Sequence, residues 1–148
     1  MAWNDPADEI DTVITNSWTS SNADGVTPII SDIVDYKIGD LRNNDYVFIQ
    51  LIDEATTPCG LGKTLKNTES RIQIDVIVGR KATASTIHTH ATNVLKEAIR
   101  CLDNNITGLT NFTYGNQKYT IRDISDKGRG FYRFVIETVL YGKNVTRT

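Results

Sequence analysis

The sequence predicts an α+β fold, in which a single mostly antiparallel or mixed β-sheet of about five strands packs against an N-terminal helix and one long amphipathic helix. Residues Arg71–Gly79 alternate apolar and polar side chains, which is typical of a half-buried strand. Between Ile87 and Leu102, apolar residues recur at helical spacing. A chain of 148 residues can bury its own core, so we expect residues 1–148 to form a single domain.

The first helix is predicted from its start signal. Asp5 can accept the unpaired amide protons of a first turn, and Pro6 fits the first helical position. The apolar residues that follow fall on one helical stripe: Ile10, Val13, Ile14 and Trp18.

Two strands are predicted next, at Ile29–Tyr36 and Tyr46–Ile52. The following segment, Glu54–Ser70, has few large apolar residues and contains Pro58 and two glycines. We therefore predict a long flexible loop over residues 54–70, of a length that is usually functional or becomes ordered on binding.

The second half supplies the long helix and a closing strand pair. The helix is predicted from about Thr83 or Ser85 to Leu102, with its polar residues largely outside the apolar stripe: His90, Asn93, Lys96, Glu97 and Arg100. Gln117–Ser125 and Phe131–Tyr141 are predicted to form a β-hairpin around a glycine-containing turn, and residues 142–148 a C-terminal tail.

Charge is divided by position. Residues 1–60 carry 11 acidic side chains against two basic ones, whereas residues 61–148 carry 14 basic side chains against seven acidic ones. Two interpretations stay open: the two halves attract each other within one fold, or each attracts the opposite half of a neighbouring copy.

No motif selects a catalytic site. Gly60-Leu61-Gly62-Lys63-Thr64 resembles a phosphate-binding loop, but Thr57 stands where its first glycine should be, and a strand instead of a helix follows. His88 and His90 are two residues apart on a predicted helix, so they point about 200° apart and do not chelate one metal. We predict no enzymatic activity, cofactor or metal.

The two cysteines, Cys59 and Cys101, are in different settings without a CxxC pair, so we expect free thiols. The start of the sequence has no basic flank followed by an apolar run, and no segment has the roughly 18 apolar residues of a membrane span. These observations predict no secretory signal and no membrane partner.

Two surfaces are candidates for contacts. Basic residues surround the predicted hairpin: Lys118, Arg122, Lys127, Arg129, Arg133, Lys143 and Arg147. Such residues are suited to binding phosphates or stacking bases, or to contacting an acidic protein surface such as residues 1–60 of another copy. Val135 and Val139, like Ile77, place apolar groups on the outer face of their strands, which suits a surface covered by another subunit but is also common in single strands.

The order of elements resembles the tail terminator, or tail-completion, proteins of long-tailed double-stranded DNA viruses. Three segments carry the resemblance: Arg71–Val78, the helix around Ile87 to Leu102, and the ending Tyr132–Tyr141. None of them contains a chemical fingerprint. The resemblance implies a structural protein made in the host cytoplasm and located in the virion tail, where a ring, expected to be a hexamer, caps the tail tube and joins it to the neck.

The partners so implied are other copies of the chain, the tail-tube protein and a neck or connector protein, with passive contact with passing DNA. We assign the subunit or partner interface to residues of the predicted loop, the hairpin and its outer face: Cys59, Gly60, Gly62, Lys63, Lys66, Lys127, Arg129, Arg133, Val135 and Val139. Another virion neck or connector subunit, a small cellular interaction module and a nucleic-acid-binding protein are the alternatives.

Overall fold

The computed structural model describes residues 5–31, 44–59, 65–79, 84–104, 109, 112–114, 119–125 and 131–146, and for 84–86 and 144–146 the backbone alone. Two α-helices and six strands lie in these ranges: α1 Pro6–Ser17, β1 Ile29–Ser31, β2 Tyr46–Pro58, β3 Leu65–Gly79, α2 Ala84–Asp103, β4 Thr113–Tyr114, β5 Thr120–Asp123 and β6 Phe131–Thr146. A short 3-10 helix, Ser20–Ala23, follows α1.

The described strands form one mixed sheet in the order β1-β2-β3-β6-β4, and β5 also pairs with β6. β1 runs parallel to β2, whereas the other neighbours are antiparallel. This arrangement confirms the predicted α+β fold with a mixed sheet. It also confirms the antiparallel pairing of the two predicted C-terminal strands, although the turn between them lies outside the described residues.

One face of the sheet, here called the helix face, carries the main core. Val47, Ile49, Ile74, Val76 and Ile136 are fully buried there and cluster with the apolar residues of the two helices, among them Ile10, Ile14, Ala91, Val94, Ala98 and Leu102. Burial of each large aliphatic side chain contributes about 1.5–3 kcal/mol before entropy is subtracted. The two predicted helical stripes are therefore confirmed as core contacts.

The opposite side, here called the outer face, has a smaller apolar cluster. Tyr46, Phe48 and Ile77 are buried together, and Phe131 packs against them. Val135 follows on the same face and is 1% exposed. Since Ile77 and Val135 are covered within the chain itself, the interpretation that their side chains lie open to another subunit is wrong. Alternation shows which face a residue is on, but not what covers that face.

α1 begins as its sequence predicts. The Ala7 amide donates to Oδ1 of Asp5 over 2.9 Å, and Pro6 occupies the first turn. After the 3-10 helix, Asp24 and Gly25 adopt left-handed backbone conformations with φ of 56° and 81°. These two residues reverse the chain towards β1.

The predicted loop over residues 54–70 is wrong. Residues 54–58 continue β2 and residues 65–70 begin β3, paired from Glu54 opposite Ser70 to Pro58 opposite Lys66. The Cys59 amide donates to the Leu65 carbonyl over 2.9 Å and continues the pairing beyond Pro58. Likewise, residues 142–146 belong to β6 instead of a tail. Residues 52–58, 65–71 and 139–146 thus form a three-stranded extension, here called the arm.

The misprediction has a physical cause. On the helix face of β3, the buried positions in the arm are occupied by Thr68 and Ser70, which are 2% and 0% exposed. The apolar alternation that marks a strand therefore ends at Ile72. β2 is mostly exposed beyond Leu51, so its sequence there needs no large apolar residues. The predicted strand Ile29–Tyr36 appears as Ile29–Ser31, and its remainder lies outside the described residues.

Candidate functional site

The two sides of the sheet derive from the two oppositely charged halves of the chain. β1 and β2 belong to the acidic residues 1–60, and β3 to β6 belong to the basic residues 61–148. Because β1 and β2 lie at one side of the strand order and β4 and β5 at the other, the two halves of the chain contribute opposite sides of the sheet. β2 carries Asp53 and Glu54, whereas β5 carries one charge of each sign, Arg122 and Asp123. One edge of the sheet belongs to the acidic half and the opposite edge to the basic half.

Both edges expose large apolar side chains. At the edge formed by β1 and β2, Ile29 and Ile52 are 45% and 43% exposed. At the edge formed by β5, Ile121 and Ile124 are 45% and 40% exposed. Ile52 is exposed because the pairing of β2 with β3 shifts register between Leu51 and Asp53, which leaves it outside the ladder as in a β-bulge. Exposed apolar side chains mark a contact surface only where they form a contiguous patch, whereas single ones are common on protein surfaces.

Each edge also has an exposed ion pair on the outer face. Asp53 lies 3.5 Å from the Arg71 guanidinium, and the two side chains are 57% and 55% exposed. Arg122 lies 3.6 Å from the Glu137 carboxylate, with side-chain exposures of 66% and 44%. On the outer face, the outermost charge is therefore negative at the β2 edge and positive at the β5 edge, while the adjacent Asp123 gives β5 no net charge.

The described members of the set assigned to the interface lie in two places on the sheet. Cys59 and Lys66 are half-buried at the far end of the arm. Arg133 lies on the outer face, where it donates to Asp75 over 2.9 Å. Val139 is half-buried on the same face, in the row of Arg71. The remaining assigned residues, Gly60, Gly62, Lys63, Lys127 and Arg129, lie outside the described residues.

The sequence interpretation missed a histidine cluster. His90 Nδ1 lies 2.8 Å from Asp24 Oδ2, and Nε2 lies 2.6 Å from Asp45 Oδ2. Each ring nitrogen of His90 therefore lies within hydrogen-bond distance of a carboxylate oxygen, and the tautomer of the ring decides which nitrogen donates. Asn93 also donates to Asp24. The bond from His90 and then that from Asn93 hold the pKa of Asp24 below its ordinary value.

A second polar cluster holds α2 against the end of α1. Glu97 was expected largely outside the apolar stripe, yet it is 1% exposed. It accepts from the Thr19 amide over 2.6 Å, from Asn22 over 3.1 Å, and from the Arg100 guanidinium. Burial alone raises the pKa of Glu97, but the bonds from Arg100, Thr19 and Asn22 outweigh it and hold the pKa below its ordinary value.

Neither cluster is arranged for metal binding. The two carboxylates contact opposite nitrogens of the His90 ring, so they do not converge on a common point. Within the described ranges, no group of three or more His, Cys, Asp or Glu side chains could hold a metal ion. These clusters join distant segments of the chain, and we interpret them as structural.

Among the described helices, none is long and apolar enough to cross a membrane. No protein-family model matches the chain, and comparison with curated proteins finds no similar sequence. Any functional conclusion therefore depends on the surfaces just described.

Proposed function

We propose that this chain is a non-enzymatic structural assembly protein of a virus tail, which forms a ring that caps the tail tube and joins it to the neck. The observation that carries the proposal is the division of charge along the chain, together with a strand order in which residues 1–60 contribute one side of the sheet and residues 61–148 the other. A subunit with different, oppositely charged sides is suited to heterologous contacts, in which one patch meets a different patch on the next copy. Such contacts close into rings when the rotation between copies permits.

The order of elements supports the same proposal. The acidic helix, the antiparallel strands, the long amphipathic helix and the closing strands follow the order expected of a tail terminator. The arm adds a second feature suited to assembly, because its β2 strand is largely exposed from Ile52 to Pro58. An exposed strand can offer its backbone and side chains to a tube or neck protein.

Solution mass and electron microscopy test the proposal together. The purified chain is measured by analytical ultracentrifugation over a range of concentration and salt, alone and with added tail tubes. We expect rings, either free or at tube ends, that weaken as salt screens the opposite charges. A chain that stays monomeric at high concentration and does not bind tube ends would contradict the proposal.

A pulldown from infected cells distinguishes the tail position from its main alternative. Recovery of the tail-tube protein supports a terminator. Recovery of portal or capsid protein without tail-tube protein would assign the chain to the neck or connector instead.

A further inference from the structure

We propose that Asp24 is a site of aspartate isomerisation, which the contacts of its carboxylate with His90 and Asn93 suppress, and that it converts to isoaspartate when those contacts open. The sequence contains a single Asp-Gly dipeptide, Asp24-Gly25, and no Asn-Gly dipeptide. A glycine in the second position favours this chemistry, because it has no Cβ to obstruct the approach of its amide nitrogen to the preceding side chain. The reaction belongs to the chain itself and does not depend on the proposed ring.

The conversion needs no reactant other than water. The amide nitrogen of Gly25 forms a bond to Cγ of Asp24 and releases its proton, while the carboxyl group releases a hydroxyl group. One water molecule leaves, and a five-membered succinimide ring remains. Water then cleaves one of the two carbonyl–nitrogen bonds of the ring. Cleavage at Cγ restores aspartate, whereas cleavage at the backbone carbonyl carbon leaves isoaspartate, in which the chain continues through Cγ.

The folded backbone keeps the two reacting atoms apart. Asp24 has φ of 56° and ψ of 32°, and at this ψ the Gly25 nitrogen lies on the opposite side of the Cα–C bond from Cβ. The Gly25 amide also donates to the Ser20 carbonyl over 2.8 Å. Ring closure therefore requires this hydrogen bond to break and the backbone of Asp24 to rotate.

The carboxylate of Asp24 is held at both of its oxygens. Oδ2 lies 2.8 Å from His90 Nδ1, and Nδ2 of Asn93 donates to Oδ1 over 3.1 Å and to Oδ2 over 3.2 Å. The hydrogen bond with His90 is the first cause that holds the pKa of Asp24 below its ordinary value. An ionised carboxylate resists attack by a nitrogen, because its carbon shares the negative charge of both oxygens. The same contacts therefore fix the side chain and keep it in its less reactive form.

The turn is nevertheless placed where it can open. The Asp24 side chain is 48% exposed, and a Cβ added at Gly25 would meet nothing within 4 Å. Opening such an exposed turn requires less free energy than global unfolding. Isoaspartate has its carboxylate directly on Cα, so it does not reach His90 and Asn93 in the same geometry. Conversion therefore also releases the turn from α2.

The rate of conversion tests the proposal. The purified chain is incubated in mildly acidic buffer and digested with a protease that cleaves before aspartate but not before isoaspartate, and mass mapping gives the converted fraction. A synthetic peptide of residues 19–29 gives the rate without the fold. We expect the wild type to convert at least about a hundredfold more slowly than the peptide, since several hydrogen bonds must break together. Asn93→Ala and His90→Ala should each convert about three- to tenfold faster than the wild type, because each variant lacks one partner of the carboxylate.

Two controls separate opening of the turn from a general loss of stability. Lys96→Ala changes an exposed residue of α2 and should convert as slowly as the wild type. Ile136→Val weakens the core on β6, where Ile136 is fully buried, and it should also convert at the rate of the wild type because the turn opens without global unfolding. Circular dichroism confirms that each variant is folded.

Three results would overturn the proposal. A wild type that converts as fast as the peptide would show that the fold does not protect Asp24. Rates equal to the wild type in both Asn93→Ala and His90→Ala would show that these side chains do not suppress the reaction. Acceleration by Ile136→Val equal to that of the two α2 variants would show that conversion proceeds through global unfolding instead of opening of the turn.

Discussion

The buried carboxylate of Glu97 provides the most direct test of the packing between the two helices. Its side chain is fully buried, and the side chain of its partner Arg100 is 34% exposed. Replacing Glu97 with Ala removes the acceptor for the Thr19 amide, for Asn22 and for Arg100. α2 then loses one of its polar connections to the chain segment that follows α1, while His90 and Asn93 still contact Asp24.

The structure sets the expected magnitude. Removing one partner of a buried ion pair costs about 3–5 kcal/mol. Arg100 is partly exposed, so water can solvate its guanidinium after the change, and we expect the lower end, about 3 kcal/mol. For a chain of this size, each kcal/mol lowers the melting temperature by about 2–4 °C, so the expected shift is about 6–12 °C.

Glu97→Gln refines the test by removing charge at nearly constant shape. The glutamine side chain has only one acceptor oxygen. Its NH2 group is itself a donor, so it would face one of the three groups that donate to Glu97 in the wild type and make no hydrogen bond with it. We expect a loss of about 2 kcal/mol at pH 7.

The pH dependence has a defined sign, because the pKa of Glu97 is held below its ordinary value of 4.5 in the folded state. The ionised Glu97 side chain therefore makes its full contribution to the free energy of unfolding above pH 4.5, and this contribution is lost as the pH falls through the lower pKa of the folded state. The difference in stability between the wild type and Glu97→Gln should therefore shrink below about pH 4.5.

Urea unfolding followed by circular dichroism, between pH 7 and pH 3, measures these changes. Lys96→Ala is the matched control, since Lys96 is the exposed neighbour on the same helix, and we expect it within about 0.5 kcal/mol of the wild type. A loss below about 0.5 kcal/mol for Glu97→Ala, or parallel pH profiles for the wild type and Glu97→Gln, would refute this account of the cluster.

Three further predictions concern other parts of the fold. Gly25→Ala should cost about 1 kcal/mol in urea unfolding, because φ is 81° while an added Cβ meets nothing within 4 Å, so the cost is backbone strain alone. Burial is the main cause that raises the pKa of the Cys101 thiol to about 11, so about one such thiol in a thousand is ionised at pH 8. In a thiol-labelling assay, Cys59 should therefore react, whereas Cys101 should stay protected until the protein unfolds. His90→Ala should cost about 2 kcal/mol, because it removes a hydrogen-bond partner from Asp45, whose side chain is fully buried.

Each of these predictions has a clear contrary result. Equal labelling rates for the two thiols in the folded protein would contradict the burial of Cys101. A stability of Gly25→Ala equal to the wild type would contradict the left-handed turn. His88→Ala is the control for His90→Ala, since His88 is exposed; equal effects of the two histidine changes would show that the cluster does not hold the chain together.

The elements that the sequence predicted well are those in which local pattern and tertiary burial agree. The Asp5-Pro6 start and the apolar stripe of α1 needed only local information, since capping and helical spacing act within a few residues. The strand around Ile74 was predicted because its alternation reflects one buried face. The arm was missed because its buried positions on β3 are occupied by the polar residues Thr68 and Ser70. The sequence there therefore lacks the alternation of apolar and polar residues that predicts a strand.

The polar clusters had no sequence signal. Asp45 is 45 residues from His90, and Thr19 is 78 residues from Glu97. Contacts at such separations arise from the way the helices pack on the sheet. For the same reason, the pattern placed Val135 on the outer face correctly but did not reveal that it is covered within the chain.

The amino-acid sequence by itself therefore determined the α+β class, the start of α1, the apolar faces of the two helices, and the division of charge between the two halves of the chain. Only the tertiary structure decided that the two halves of the chain contribute opposite sides of the sheet, because the order of strands assigns β1 and β2 to one side and β5 to the other. Periodicity and charge are properties of short segments, whereas strand order and the pairing of distant side chains depend on the whole chain packing into one sheet.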